Sequence, residues 1–162
     1  MGSNKLVQEL IAAEIAADNK LPSQGAVLIT VNDADKKPAT PMVRRFHELG
    51  FRILATTGTA KHLRAEGIPV ESIKKVHEGS PNGIDLILGG EVQLLINTPL
   101  GKDAQRDDYT LRQAAIANRV AYTTTLAAAN AACDAIQAAR TRKATVTSLQ
   151  EWHALLPNTV SV

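Results

Sequence analysis

Hydroxyls and lysines gather in two turns of the stretch 25–60, GAVLITVNDADKKPATPMVRRFHELGFRILATTGTA. The first turn follows the apolar run 26–31 and carries Lys36 and Lys37; the second is Thr56-Thr57-Gly58-Thr59. Hydroxyl, ammonium and free backbone N–H groups are donors, and the dipole at a helix start adds to them, so turns of this kind suit a phosphate. The elements that must hold the turns can be read around them. AVLITV (26–31) is an unbroken β-rich run, as expected of a parallel strand covered on both faces. FRILAT (51–56) is a second. Between them Met42, Val43, Phe46 and Leu49 fall at helical spacing, which predicts a helix over residues 41–49. Each strand therefore ends in a polar turn that opens a helix. In an open parallel sheet, ligands bind in the crevice beyond the carboxyl ends of the strands.

The rest of the chain continues the alternation. Residues 6–17 form an amphipathic pattern with Leu6, Val7, Leu10, Ile11 and Ile15 on one side, and residues 18–23 break it. A helix is expected over 59–66, closed by Gly67, then a short strand over 70–76 and a loop over 79–83. A short helix over 84–88 ends at Gly89-Gly90, and the strand VQLLIN (92–97) is stopped by Pro99. Asp107 or Asp108 can N-cap a helix reaching about Asn118. A short strand over 120–124, an Ala-rich helix over 126–139 and a last β-rich piece over 145–149 complete the pattern. The fold class is α/β: a doubly wound, mostly parallel sheet of about five strands with helices on both faces and right-handed crossovers. Residues 1–23 read as an N-terminal helix and linker, either a cap or the tail of a preceding domain, and 24–162 as the domain itself.

Composition narrows the function classes. A chain of 162 residues can bury a core without disulfides or metal, and its single cysteine, Cys133, offers neither a disulfide framework nor a cysteine-based metal site. A net charge of +2 with dispersed basic residues does not favour nucleic acid or a membrane surface, and aromatic residues are too scarce for base-stacking platforms. No apolar run approaches the roughly 20 residues of a membrane span. A cytoplasmic location is expected.

Four segments then carry a resemblance. GAVLITVNDADK, LGFRILATTGTAKHLRAEGIPVE, KKVHEGSPNGIDLILGGEVQLLINTP and RQAAIANRVAYTTTLAAANAA, in order over residues 21–153, resemble the C-terminal allosteric domain of the carbamoyl-phosphate synthetase large subunit. That is a methylglyoxal-synthase-like, Rossmann-type domain. ATTGTA by itself is a weak signal, shared with methylglyoxal synthase and IMP cyclohydrolase; KVHEG followed by INT and YTTTL is specific. The resemblance implies a non-catalytic regulatory domain without cofactor or metal, binding UMP or IMP. It implies as partners the synthetase domains and the small glutaminase subunit of a glutamine-hydrolysing, ATP-dependent ligase. That enzyme makes carbamoyl phosphate from bicarbonate, glutamine-derived ammonia and ATP for pyrimidine and arginine biosynthesis.

Carried over position by position, the family's effector site implies Thr30, Lys36, Thr56, Gly58, Thr59, Lys75, Asn97 and Thr98, with Asn97 a reader of ribose or base. Pro99 stands where relatives have a hydroxyl residue, so one ligand contact is lost or replaced. A second effector site, for ornithine, falls on Tyr122 and Thr124, but Thr123 stands where relatives have Asp, which removes the natural partner of an ornithine ammonium. Each residue also has a plainer reading. Thr30 and Thr56 can cap elements, and Lys36 and Lys75 can be solvated lysines. His77 can order its loop by a hydrogen bond, His47, His62 and His153 can be surface residues, and Trp152 can be a docking side chain. Asp33, Asp35 and Asp85 could be general bases or simply solvated. The competing class is an enzyme, a methylglyoxal-synthase-type lyase acting on dihydroxyacetone phosphate. Its Gly-Gly-Asp-Gln-Gln run is replaced here by Gly79-Ser80-Pro81-Asn82-Gly83-Ile84-Asp85.

Overall fold

Five runs of β-forming residues become strands: β1 (Ala26–Thr30), β2 (Arg52–Thr56), β3 (Glu71–Ile73), β4 (Leu94–Asn97) and β5 (Ala121–Thr123). They pair in parallel in the order β3-β2-β1-β4-β5. The computed structural model describes residues 21–99, 101–102 and 105–155, with side chains through residue 142. The helices are α1 (Asp33–Glu48), α2 (Thr57–Ala65), α3 (Gly83–Leu88), α4 (Gln105–Ala117) and α5 (Leu126–Leu155), with a 3₁₀ turn at Val76–Glu78. This is the doubly wound α/β sheet expected from the sequence. No described helix is long and apolar enough to cross a membrane.

Side-chain alternation along the strands splits the core in two. Val27, Ile29, Ile53, Ala55, Leu94 and Ile96 face one way, onto Met42, Val43 and Phe46 of α1, Ala60 and Leu63 of α2, and Ala129, Cys133 and Ile136 of α5. Leu28, Leu54, Ile73 and Leu95 face the other way, onto Ile87 of α3 and Leu111 and Ala115 of α4. Fully burying one such side chain stabilises the fold by about 1.5–3 kcal/mol. Phe46 meets Phe51 edge to face at 5.7 Å between ring centroids. Arg140 of α5 donates to the carbonyls of Leu49 and Ser23 and lies 5.3 Å over the Phe51 ring, fastening the last helix to the segment before β1.

Several boundaries differ from expectation. The first helix starts at Asp33, not at residue 41, because Asn32 caps it by accepting from the Asp35 N–H at 2.8 Å. Pro38 and Pro41 lie inside it, and they masked its first two turns. The strand expected over 70–76 is only Glu71–Ile73, since the chain turns into the 3₁₀ segment at Val76. Asp107 and Asp108 sit in the first turn of α4 rather than at its cap. The piece at 145–149 is not β but part of α5, which runs to Leu155. Extending an existing helix costs far less than starting one, which outweighs the β preference of Thr and Val. The helix expected over 6–17 lies outside the described residues.

Candidate functional site

The strand order reverses direction at β1, whose neighbours are β2 on one side and β4 on the other. The carboxyl ends of β1 and β4 therefore flank the topological switch point, where such sheets bind ligands. Three polar residues end their strands there, all on the α3/α4 face: Thr30 follows Leu28, Thr56 follows Leu54, and Asn97 follows Leu95. Register aligns them, with Thr30 opposite Asn97 and Thr56 opposite Ile73.

A crevice of about 330 Å³ opens at this point. Thr30, Thr56 and Lys75 line it together with Asn32, Asp33, His77, Lys102, Asp107 and Asp108. Its apolar wall is Ile73, Val76 and Leu111. Gly83 belongs to the same wall because only a bare backbone fits: a Cβ there would lie 2.8 Å from both Leu28 Cδ2 and Leu111 Cδ2.

Lys36 of α1 does not line the crevice but pairs with Asp33, which does. Its Nζ is 2.5 Å from Asp33 Oδ1 and would stand 3.3 Å from a Cβ at Gly58, so Gly58 lets the ammonium approach the backbone of the second turn. The Asp33 carboxyl is held below the ordinary aspartate value by the Lys36 hydrogen bond first, then the Lys36 charge, with a smaller pull from Lys75. Lys36 thus holds the carboxylate of Asp33, a residue of the crevice lining. Among the described residues Lys75 has no ion pair, and its backbone N–H donates to Glu78 Oε2 at 3.0 Å. Lys75 is the residue before the 3₁₀ turn rather than the end of a strand. Strand alternation therefore does not separate it from Lys74, and both line the crevice.

Thr59 is buried in the first turn of α2. Thr98 is buried and fastens two turns, its N–H donating to the Thr30 carbonyl and its Oγ1 accepting from the Asn32 N–H at 3.1 Å. The Pro99 carbonyl accepts from Asn32 Nδ2 at 3.1 Å, so the departure at position 99 still holds the first turn in place. Tyr122 and Thr124 are half-buried at and just after β5 and are not brought into the crevice; Tyr122 packs against the α3/α4 core.

His77 Nδ1 lies 2.6 Å from Asp107 Oδ2, a contact that ties the 3₁₀ turn to α4 as a loop-ordering bond would. Asp85 does not line the crevice. Its Oδ2 accepts from Ser80 Oγ at 2.5 Å and from the Asn82 N–H at 3.0 Å, and those bonds lower its pKa. On the opposite face, burial raises the Cys133 pKa, and a hydrogen bond to Asp134 raises that of Arg45. His62 bonds Thr40 Oγ1 at 3.0 Å, and His47 is exposed. The side chains of Trp152 and His153 lie outside those described. Among the described residues no group of three or more His, Cys, Asp or Glu is placed to hold a metal ion.

The family model described as the MGS-like domain matches residues 39–124, just over half of the chain. The chain belongs to the MGS-like domain family. Its MGS-like sequence is 61% identical over 144 residues to the carbamoyl phosphate synthase large chain of Gemmatimonas aurantiaca, covering 89% of this chain and 13% of that one. It is 49% identical over 142 residues to the C-terminal section of the Methanopyrus kandleri large chain, covering 87% of this chain and 26% of that section. The large chain of Methanothrix thermoacetophila is 43% identical over 141 residues, with 87% of this chain and 13% of that one covered. The chain thus spans about an eighth of the full-length relatives it matches.

Within this MGS-like domain, sequence reasoning missed a buried polar network. Asn97 is fully buried, and its Nδ2 donates to Thr30 Oγ1 at 2.6 Å and to Asp108 Oδ1 at 2.9 Å. Asn97 therefore lies behind Thr30 instead of reaching toward a ribose or base. Its Oδ1 is buried without a hydrogen-bond partner among the described residues, an arrangement that costs about 1–3 kcal/mol when nothing fills it. Asp108, itself buried, looked in the sequence like a helix cap. Its position one turn from Leu111, a core residue of the same helix, was the available signal that it faces inward.

Proposed function

We propose that this MGS-like domain is the regulatory domain of a carbamoyl phosphate synthase large chain and binds a nucleoside monophosphate, UMP or IMP, in the crevice at the ends of β1, β2 and β3. The convergence of hydroxyls and ammonium groups at the strand ends carries this reading. Thr30, Thr56, Lys74 and Lys75 line one crevice, and Lys36 pairs with Asp33 of the same lining. A phosphate there replaces Asp33 as the partner of Lys36 and supplies one for Lys75, and charge-assisted hydrogen bonds of this kind are about twice as strong as neutral ones. The apolar wall of Ile73, Val76 and Leu111 suits the flat face of a base, and about 330 Å³ falls in the range of small-molecule sites.

In this reading the effector alters carbamoyl phosphate synthesis from bicarbonate, glutamine-derived ammonia and ATP by attached synthetase domains and a glutaminase subunit in the cytoplasm. It regulates by binding two states of that larger protein with different affinity. Asp85, the carboxylate a methylglyoxal-synthase-type lyase would draw on here, is engaged in capping α3, which favours the effector reading. A thermal-shift panel of UMP, IMP, AMP, ornithine and inorganic phosphate tests it. UMP or IMP at 100 times its dissociation constant should add about 2.7 kcal/mol of stability. No shift with either nucleotide up to millimolar concentration contradicts it.

A further inference from the structure

Among the described residues, Thr30 is the crevice hydroxyl whose polarity is set from behind. Asn97 Nδ2 donates to its Oγ1 at 2.6 Å and to Asp108 Oδ1 at 2.9 Å, and all three residues are buried. The Asp108 bond fixes which way the Asn97 amide faces. A flipped amide would set its oxygen against a carboxylate oxygen, two acceptors facing one another. With the amide held, both of its N–H groups are used, and Thr30 Oγ1 must accept. The Thr30 O–H then has to donate elsewhere, and among the described residues it donates to nothing. Thr30 also lines the crevice.

We infer that Asp108 and Asn97 are positioning residues that act through Thr30, fixing its hydroxyl as a donor into the crevice so that the site takes an oxyanion, such as a phosphate monoester, at that point. Asn97 is fully buried and does not line the crevice, and Asp108, which does, acts on Thr30 through Asn97. The inference rests on the reading of the crevice as a phosphate site, but it concerns the phosphate group and not the nucleotide that bears it.

Inorganic phosphate is therefore the probe, titrated by calorimetry into the full chain, into Asp108→Leu and into the exchange of Asn97→Asp with Asp108→Asn. Asp108→Leu frees the Asn97 amide to turn its oxygen toward Thr30 and should bind phosphate at least tenfold more weakly, although it removes a negative charge from the crevice lining. Binding as tight as the parent's overturns the inference, as does a parent chain that binds no phosphate at all. If Asp108→Leu fails to fold, the exchange decides. It preserves composition and charge and keeps the bonds satisfied, but it makes Thr30 donate backwards, so phosphate binding should fall tenfold or more. Unchanged binding by the exchanged chain overturns the inference. UMP and IMP titrated in parallel separate the two claims. Phosphate bound with this pattern of variants, and neither nucleotide bound more tightly than phosphate, leaves the inference standing and removes the nucleotide reading. Nucleotide binding that is indifferent to the variants does the reverse.

Discussion

The two faces of the sheet are built from the same three strands and end differently. On the face covered by α1, α2 and α5, the inward residues stay apolar to the strand ends: Ile29, Ala55 and Ile96 are buried against Met42, Phe46, Leu63 and Ala129. On the face covered by α3 and α4, the same strands end in Thr30, Thr56 and Asn97 after Leu28, Leu54 and Leu95. One face carries cohesion alone, and the other gives up its last layer of apolar packing to hold hydroxyls and an amide. That layer is where the Thr30–Asn97–Asp108 network sits and where the crevice opens. Stability and ligand chemistry should therefore separate by face, even for residues adjacent in sequence such as Ile29 and Thr30.

The largest expected effect breaks the cohesive face. Phe46→Ala removes a fully buried ring stacked edge-on against Phe51 and should destabilise the domain by about 3–5 kcal/mol, read by urea unfolding. Nucleotide affinity of the molecules still folded should stay within about twofold of the parent, and a large loss there would show that the two faces are coupled. Next is Lys75→Ala on the polar side. Loss of one charge-assisted hydrogen bond, about 1.5–3 kcal/mol, corresponds to roughly a 10- to 150-fold weaker UMP or IMP complex. Unfolding of the free chain should hardly change, since Lys75 is exposed and has no ion pair among the described residues. Asp33→Asn should act in the opposite sense and more weakly. It removes the carboxylate that occupies Lys36, so nucleotide should bind about two- to fivefold more tightly, in line with the small worth of exposed ion pairs. Weaker binding by calorimetry would mean that Asp33 holds Lys36 in place instead of competing for it.

Much of this contrast could be read from the sequence, for a physical reason. Buried parallel strands leave unbroken β-rich runs, so β1, β2 and β4 stood out, and with them the polar turns at Thr30 and Thr56. Elements whose identity depends on neighbours were harder. The first turns of α1 hid behind Pro38 and Pro41, and β3 has three residues, too few for any periodicity. The β-like composition of residues 145–149 was overruled by the helix already running through them. In the site, residues that meet the crevice through a single side chain, such as Thr30, Thr56 and Lys75, were accessible through the resemblance. The role of Asn97 was not, because it depends on Asp108, eleven residues away and on another element. A hydrogen bond between a strand end and the inner side of a helix leaves no spacing signature in the chain.

The central claim is that the polar end of the α3/α4 face is the effector site, and amide chemical-shift mapping during titration with UMP or IMP tests it most directly. The largest changes should fall on Thr30 to Asp33, Thr56 to Thr59, Lys75 to His77 and Asp107 to Leu111. Amides of Met42 to Phe46 in α1 and Ala129 to Ile136 in α5 should stay near their free positions. The claim is contradicted if saturating nucleotide leaves the first group unmoved. It is equally contradicted if the changes centre on the concavity at the other end of the strands, lined by His47, Phe51, Arg52, Val70 and Glu71.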